Sequence, residues 1–266
     1  MKLKEIYEVL DNLAPFKYQE DWDNSGVLLG DMDSDVKKVL ITLDVTKEAV
    51  GIATEGGFDL IVSHHPLIFK PVKQINTNDF ITERIVELAF NKVNYIAMHT
   101  NIDSTALSLV ADEMLGIKRE APIQANEISE DESVGIGSFG KFINENGNLV
   151  DITLRDAVIR TKNAFARDVV KVYGDIDDII KKPAVCTGSG KTVINDCISK
   201  GCDLLITGDI TYHDALDARS KGLNIIDAGH YGTEIIFTQL IYTFMKMNLP
   251  DIEIVEFIEE ENGTYM

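Results

Sequence analysis

The chain has 266 residues, 45% of them apolar and 26% charged, with few prolines and no biased stretch, a composition that supports a large buried core and contains no segment that reads as disordered. Its 44 acidic and 25 basic residues leave a formal charge of −19, which repels nucleic-acid backbones and anionic membrane surfaces. No apolar run approaches the ~20 residues of a membrane span and the N-terminus carries no export signal, so the expectation is a cytoplasmic protein whose thiols, Cys186, Cys197 and Cys202, are reduced and mostly buried.

Apolar residues at Leu3, Ile6, Tyr7, Val9, Leu10 and Leu13 have the spacing of one buried face and predict a helix over residues 3 to 14. Residues 18 to 31 follow as a turn-rich segment holding the sole tryptophan, Trp22, which reads either as a structural loop with an aromatic plug or as a lid over a site. From Lys37 the pattern becomes strand, helix, strand. Val39 to Leu43 is apolar and β-branched, Thr46 to Glu55 is compatible with a helix, Gly56 and Gly57 end it, and Asp59 to Ser63 is the next strand. A helix over residues 80 to 90 leads to a strand at Tyr95 to Met98, and Ser104 has the position of an N-cap for a helix reaching Leu115. The acidic run Glu127 to Glu132 predicts a solvated loop, while Val134 to Gly140 and the Asn146-Gly147 pair predict strands joined by a tight turn. A helix at Leu154 to Phe165 and a strand at Val169 to Tyr173 complete the middle of the chain.

The last third repeats the first. Lys37-Lys38 precedes Asp59 by the interval at which Lys181-Lys182 precedes Asp203, and at this constant offset of 144 Gly57 falls on Gly201, Leu60 on Leu204 and His65 on Asp209. Asn94 to His99 has a looser echo in Asn224 to His230. The expected fold class is α/β, with two similar α/β lobes related by internal duplication, residues 1–125 and 126–266, packed as one unit with a metal cleft between them.

All five histidines, His64, His65, His99, His213 and His230, lie at or just after predicted strand ends, where an α/β sheet places its chemistry. Adjacent side chains on an extended strand point to opposite faces, so the His64-His65 pair suggests a wide site with two metals, or a turn at His65. Imidazole combined with carboxylate suits Zn, Mn, Fe or Ni better than Ca or Mg. The carboxylates are Asp103, four residues after His99, and Glu234, four after His230, with Glu234 expected in the first turn of the last long helix on the side of His230. Either carboxylate can bridge two cations that activate a shared water for hydrolysis, with His99 or His213 as proton shuttle or orienting group. Competing motifs are poorer. Thr187 to Thr192 looks like a phosphate loop but has Val185 where its first glycine belongs, and neither Ser63 nor Ser189 stands in a Gly-x-Ser-x-Gly elbow.

Five motifs, Trp22-Asp-Asn-Ser-Gly-Val-Leu-Leu-Gly30, Ser63-His-His-Pro-Leu-Ile-Phe69, Met98-His-Thr-Asn-Ile-Asp103, Thr207-Gly-Asp-Ile-Thr-Tyr-His213 and Asp227-Ala-Gly-His-Tyr-Gly-Thr-Glu234, together resemble the NIF-three-like family, whose members are often labelled GTP cyclohydrolase 1 type 2 homologues. The resemblance runs over nearly the whole chain. It implies that His64, His65, Asp103, His230 and Glu234 ligate a dinuclear centre of two divalent ions per chain, with His99 beside it. It also implies two similar α/β lobes and a ring-shaped homohexamer with the metal sites facing an internal cavity. The region from 120 to 180 is too short for the large domain that some members carry inserted there. The expected function is metal-dependent hydrolysis of a small molecule, cyclohydrolase-like by resemblance only; the alternative is a non-enzymatic carrier of a metal such as iron, or a ring-forming scaffold.

Overall fold

The computed structural model describes residues 1–263. The chain divides into two compact units, one built from Met1–Ile102 and Phe237–Glu260, the other from Asp103–Ile236 with the chain from Glu261. The division therefore falls at residue 102, where the sequence reading placed it at 125, and the first unit takes back a late segment. The reason is a strand that no local pattern revealed: Glu253–Glu256 pairs in parallel with Lys38–Thr42, and parallel partners are joined by long connections that local periodicity does not record.

The first unit carries a five-stranded sheet in the order Gly26–Leu29, Asn94–Ala97, Leu60–Ser63, Lys38–Thr42, Glu253–Glu256. Only Gly26–Leu29 runs antiparallel to its neighbour. Every residue of Leu60–Ser63 and Asn94–Ala97 is buried, as a parallel strand covered on both faces requires. The helix Lys47–Glu55 makes the crossover between the second and third strands in sequence; the Thr46 hydroxyl accepts from Ala49 N at 3.1 Å and fixes its start. Val50, Ala53 and Leu88 pack with Leu40, Ile61 and Tyr95 into one apolar cluster.

The second unit has a six-stranded sheet in the order Lys171–Tyr173, Asn224–Asp227, Leu204–Gly208, Pro183–Ser189, Ser138–Phe142, Ile117–Ala121. Its Pro183–Ser189, Leu204–Gly208 and Asn224–Asp227 strands are parallel, and the Lys171–Tyr173 edge is antiparallel. The four-strand order of the first unit thus recurs with the same directions, and so do its bonds. The Asp59 carboxylate accepts from Lys37 N and Lys38 N at 2.8 and 3.0 Å; the Asp203 carboxylate accepts from Lys181 N and Lys182 N at 2.8 and 2.9 Å. Asn94 Nδ2 donates to Asp59 O at 2.8 Å, and Asn224 Nδ2 to Asp203 O at 3.0 Å.

Two segments differ from the sequence reading. The helix expected to start behind Ser104 begins at Thr100, and Asp103–Leu107 forms a π-helical turn ahead of Ser108–Leu115. A π turn accommodates one extra residue inside a helix, a feature frequent at functional sites and invisible to a 3.6-residue period. Gly26–Leu29, read as part of a turn-rich loop, is a strand. Among the described residues no helix is long and apolar enough to cross a membrane.

The second unit buries an acid and a base together. Asp112 accepts from the Ser138 hydroxyl and faces Arg119 Nε at 3.4 Å, while Arg119 also donates to Ser108 Oγ and Gly137 O. Burial pushes the Asp112 carboxyl up to about 6 against the opposing pull of Ser138 and Arg119. The folded state therefore binds a proton that the unfolded chain releases near pH 4, and the stability this confers is lost as pH rises to about 6. Comparing urea unfolding of the wild type with Asp112→Asn, we expect the wild-type free energy to fall relative to the variant by roughly 2 kcal/mol between pH 4 and 6. A flat difference would disprove the assignment.

Candidate metal centre

In the first unit three neighbouring parallel strands end side by side and present Asp44, His64, His65 and His99 along one sheet edge. The chain leaves its strand after Ser63, so the two adjacent histidines escape the alternation that would separate them. That turn is pinned: the Ser63 hydroxyl donates to His65 O at 2.8 Å, His65 N donates to Leu43 O at 3.0 Å, and the buried Tyr95 hydroxyl accepts from Leu67 N at 2.9 Å. Ring centroids lie 5.0 Å apart for His64 and His65, 5.3 Å for His64 and His99, and 5.8 Å for His65 and His99. Each of the three can bring one ligand nitrogen within 4.8 Å of the other two.

Each ring is held through Nδ1. His64 Nδ1 donates to Met98 O at 2.8 Å, His65 Nδ1 pairs with Asp44 Oδ1 at 2.9 Å, and His99 Nδ1 with Asp23 Oδ1 at 2.7 Å. Anchoring one ring nitrogen fixes the tautomer and leaves Nε2 as the nitrogen that carries the lone pair for a metal. Asp44 is itself positioned by the C-terminal segment: its backbone N donates to Glu259 Oε1 at 2.5 Å, and the Thr42 hydroxyl donates to Glu259 Oε2 at 3.1 Å. Asp23 accepts in addition from Thr100 N, the Thr100 hydroxyl and the Ser25 hydroxyl at 3.0, 2.6 and 3.0 Å. Burial alone would raise the Asp23 carboxyl, but His99 and Thr100 hold it well below the usual carboxylate range. The Trp22 segment thus earns its place through Asp23, and Trp22 itself is exposed, edge-on to Phe69 and His99 at 6.1 Å from each.

The second unit presents donors of its own at the equivalent ends of its parallel strands. His230 opens the short helix His230–Glu234, and the i,i+4 spacing brings its Nε2 within 2.8 Å of buried Glu234 Oε2. Glu234 closes that helix and does not stand in the first turn of the long one: Ile235 interrupts the run before Ile236–Asn248 begins. His230 Nδ1 pairs with Asp209 Oδ2 at 2.8 Å, and Asp209, directly after Leu204–Gly208, takes the left-handed conformation at φ 58°. A carboxylate oxygen of Asp103, from the π turn, can lie within 4.8 Å of one from Glu234. The Cys186 thiol is pushed up to about 12 by burial, with the Asp103 and Glu234 carboxylates adding to the effect, so it stays protonated beside them.

Gly188 shapes this pocket. Its φ is +65°, and a Cβ there would lie 2.0 Å from Glu234 Oε1 and 3.5 Å from His230 Nε2. Its N donates to Thr233 Oγ1 at 2.9 Å, tying the glycine to the helix that carries both ligands. Imidazoles with carboxylates are the donor set of a transition-metal or zinc site, and the room left by Gly188 keeps the Glu234 carboxylate in place. The chain therefore carries buried His and Glu side chains that can hold a metal ion.

His213 stands apart from the other histidines. It is exposed in the first turn of Tyr212–Ser220 with its ring edge against Tyr212, and among the described residues no metal-capable group includes it. The residues that sequence reasoning missed are Asp23, Asp44, Glu259 and Gly188. Asp44 was detectable as the acid just past a strand end, as Asp209 is; Gly188 lay in the segment considered only as a phosphate loop; Glu259 carries no local signal.

Two substitutions test this geometry. Gly188→Ala should weaken zinc binding at least ~10-fold in equilibrium dialysis by displacing Glu234. Gly147→Ala, with φ +75° and nothing within 4 Å, carries the backbone strain alone and should leave affinity unchanged. Asp23→Ala removes the acceptor of a buried network and should cost about 3 kcal/mol in urea unfolding; a loss within experimental error would show that the network is dispensable.

Comparison with known proteins identifies the family of the chain. The family Duf34/NIF3 (NGG1p interacting factor 3) matches residues 1–263. A Clostridium perfringens protein named GTP cyclohydrolase 1 type 2 homolog is 35% identical over 236 residues, covering 88% of this chain and 87% of its own. A Campylobacter jejuni protein of the same name is 36% identical over 252 residues, covering 94% of each. The crystal structure of a Staphylococcus aureus protein superposes with a TM-score of 0.83 at 28% identity, covering 100% of this chain and 99% of that one. With its α/β architecture, its histidines at strand ends and a match that runs from the first residue to the last one described, the chain belongs to the Duf34/NIF3 family.

Proposed function

We propose that this protein is a divalent-metal-dependent hydrolase of small molecules, with two ions ligated by His64, His65, Asp103, His230 and Glu234. The observation that carries the reading is the anchoring of three of the ligand imidazoles: His64, His65 and His230 each have Nδ1 tied to a carbonyl or carboxylate, which turns Nε2 into a directed donor. Core imidazoles are hydrogen-bonded too, but their nitrogens do not converge, whereas one ligand nitrogen from each of His64, His65 and His99 lies within 4.8 Å of the others. The GTP cyclohydrolase 1 type 2 homolog name of the relatives favours a cyclohydrolase-like reaction.

Two cations held there would supply a water of lowered pKa and a counter-charge for negative charge developing on the substrate. The chain's own groups do the rest. His99, held by Asp23, moves a proton between substrate and solvent, and its side chain keeps a solvent-facing edge for that purpose. The rings of Trp22 and Phe69 meet edge to face beside it and give a ligand an apolar surface. The charge of −19 disfavours polyanions and fits a small substrate. Phe90 and Met247, at 86% and 78% exposure, are apolar surface of the sort that assembly into a homohexamer would cover.

The test is metal content followed by turnover. Stripped protein reloaded separately with Zn, Mn, Fe(II) or Ni should bind two equivalents per chain of at least one of them, and His64→Ala and Glu234→Ala should each lose at least one. The loaded protein should then turn over a member of a panel of phosphoesters, nucleotides and cyclic amides, with turnover abolished in both variants. Fewer than one metal per chain, or unchanged content in the variants, overturns the site. Transfer of metal to an acceptor protein without any turnover overturns the hydrolase.

A further inference from the structure

The second unit holds a pair of thiols that the metal chemistry leaves unused. The helix Ile194–Ser199 ends in a motif with two backbone bonds: Cys202 N donates to Cys197 O at 2.9 Å, and Gly201 N donates to Ile198 O at 3.0 Å. Gly201 supplies the left-handed residue at φ +73°. This arrangement brings the side chains five residues apart, one in the last helical turn and one just beyond the glycine, into contact. At other helix ends of the chain the contact is apolar: Ala53 with Phe58, Leu88 with Val93 and Ala218 with Leu223 are joined by the same bond. At Cys197 and Cys202 both positions carry sulfur.

Both residues belong to one buried cluster, Cys197 fully buried and Cys202 at 6% exposure. Thiol lies against thiol. The Cys202 thiol is held below the ordinary range, first by the Cys197 thiol that donates to it and then by the nearby Lys182 ammonium, while the same contact and burial push Cys197 up. Cys202, the less buried of the two, is the thiol that a reagent meets first, and Cys197, the next sulfur behind it, is the resolving thiol.

We propose that Cys197 and Cys202 are a reversible dithiol–disulfide site, oxidised by low-molecular-weight disulfides. The bond from Cys202 N to Cys197 O at 2.9 Å holds the two backbones side by side, and a disulfide bridges Cα atoms roughly 4.4 to 6.8 Å apart. The Cys202 thiolate attacks the reagent RSSR, forming a Cys202–SR mixed disulfide and releasing RS⁻. Cys197 then loses its proton and attacks the Cys202 sulfur, releasing the second RS⁻. Two protein thiols are oxidised by two electrons, one reagent disulfide is reduced, and the two protons end on two RSH. Cys186 belongs to the same cluster but stands on the Pro183–Ser189 strand, outside the helix-end motif, and takes no part.

The test uses the intact protein, incubated natively with oxidised glutathione, then denatured, alkylated with iodoacetamide and mapped by mass spectrometry. We expect one intrachain peptide link, Cys197 to Cys202, with Cys186 the only cysteine still alkylated, and full recovery of all thiols after dithiothreitol. In Cys197→Ser the reaction should stop at a glutathione adduct on Cys202. Alkylation of all three cysteines in the treated wild type, a link involving Cys186, or a link between chains overturns the proposal whether or not the variant folds.

Discussion

Parallel pairing of adjacent strands is the constraint on which both donor sets depend. When Lys38–Thr42, Leu60–Ser63 and Asn94–Ala97 run in one direction, their carboxyl ends emerge together, and residues far apart in the chain are delivered to one edge without any loop having to reach for them. Pro183–Ser189, Leu204–Gly208 and Asn224–Asp227 do the same in the second unit, where Gly188, Asp209 and His230 come out together. The buried strands are rigid because both faces are covered, so the loops that carry the ligands start from fixed points.

Much of this was legible in the sequence, and the reasons are specific. The 144-residue offset stood out because each Asp carboxylate accepts from two consecutive backbone N–H groups, and the second lysine of each pair reaches a carbonyl at the end of the following helix, Lys38 Nζ to Gly56 O and Lys182 Nζ to Lys200 O. The histidines at strand ends were visible because apolar runs of strand length end abruptly at polar residues. What escaped was information held in three dimensions alone. The strand Glu253–Glu256 looks like any short alternating stretch until its partner is known. The π turn at Asp103 differs from a helix start by a single residue, and His213 follows a strand end as the others do yet is turned outward at the start of its helix.

The chain manages its acidity by giving nearly every buried carboxylate several donors. Asp23 has the His99 ring and the Thr100 and Ser25 groups; Glu259 has Thr42 and the backbone of Leu43 and Asp44; Asp112 has Ser138 and Arg119. Buried charge is tolerated on those terms. Asp112 is a case where burial outweighs its partners, on the helix Ser108–Leu115 against Ser138 and Arg119 of neighbouring strands.

The return of the chain to the first sheet has a bearing on the order in which the protein can be finished. His65 leans on Asp44, Asp44 leans on Glu259, and the outer strand beside Lys38–Thr42 is Glu253–Glu256. A ribosome releases those residues long after the rest of the first unit's sheet, so that sheet waits for its outer strand and for the support of its His65 imidazole. During synthesis the Lys38–Thr42 edge is an open strand edge, and the chain's own tail, rather than a neighbour's, is what must arrive to close it.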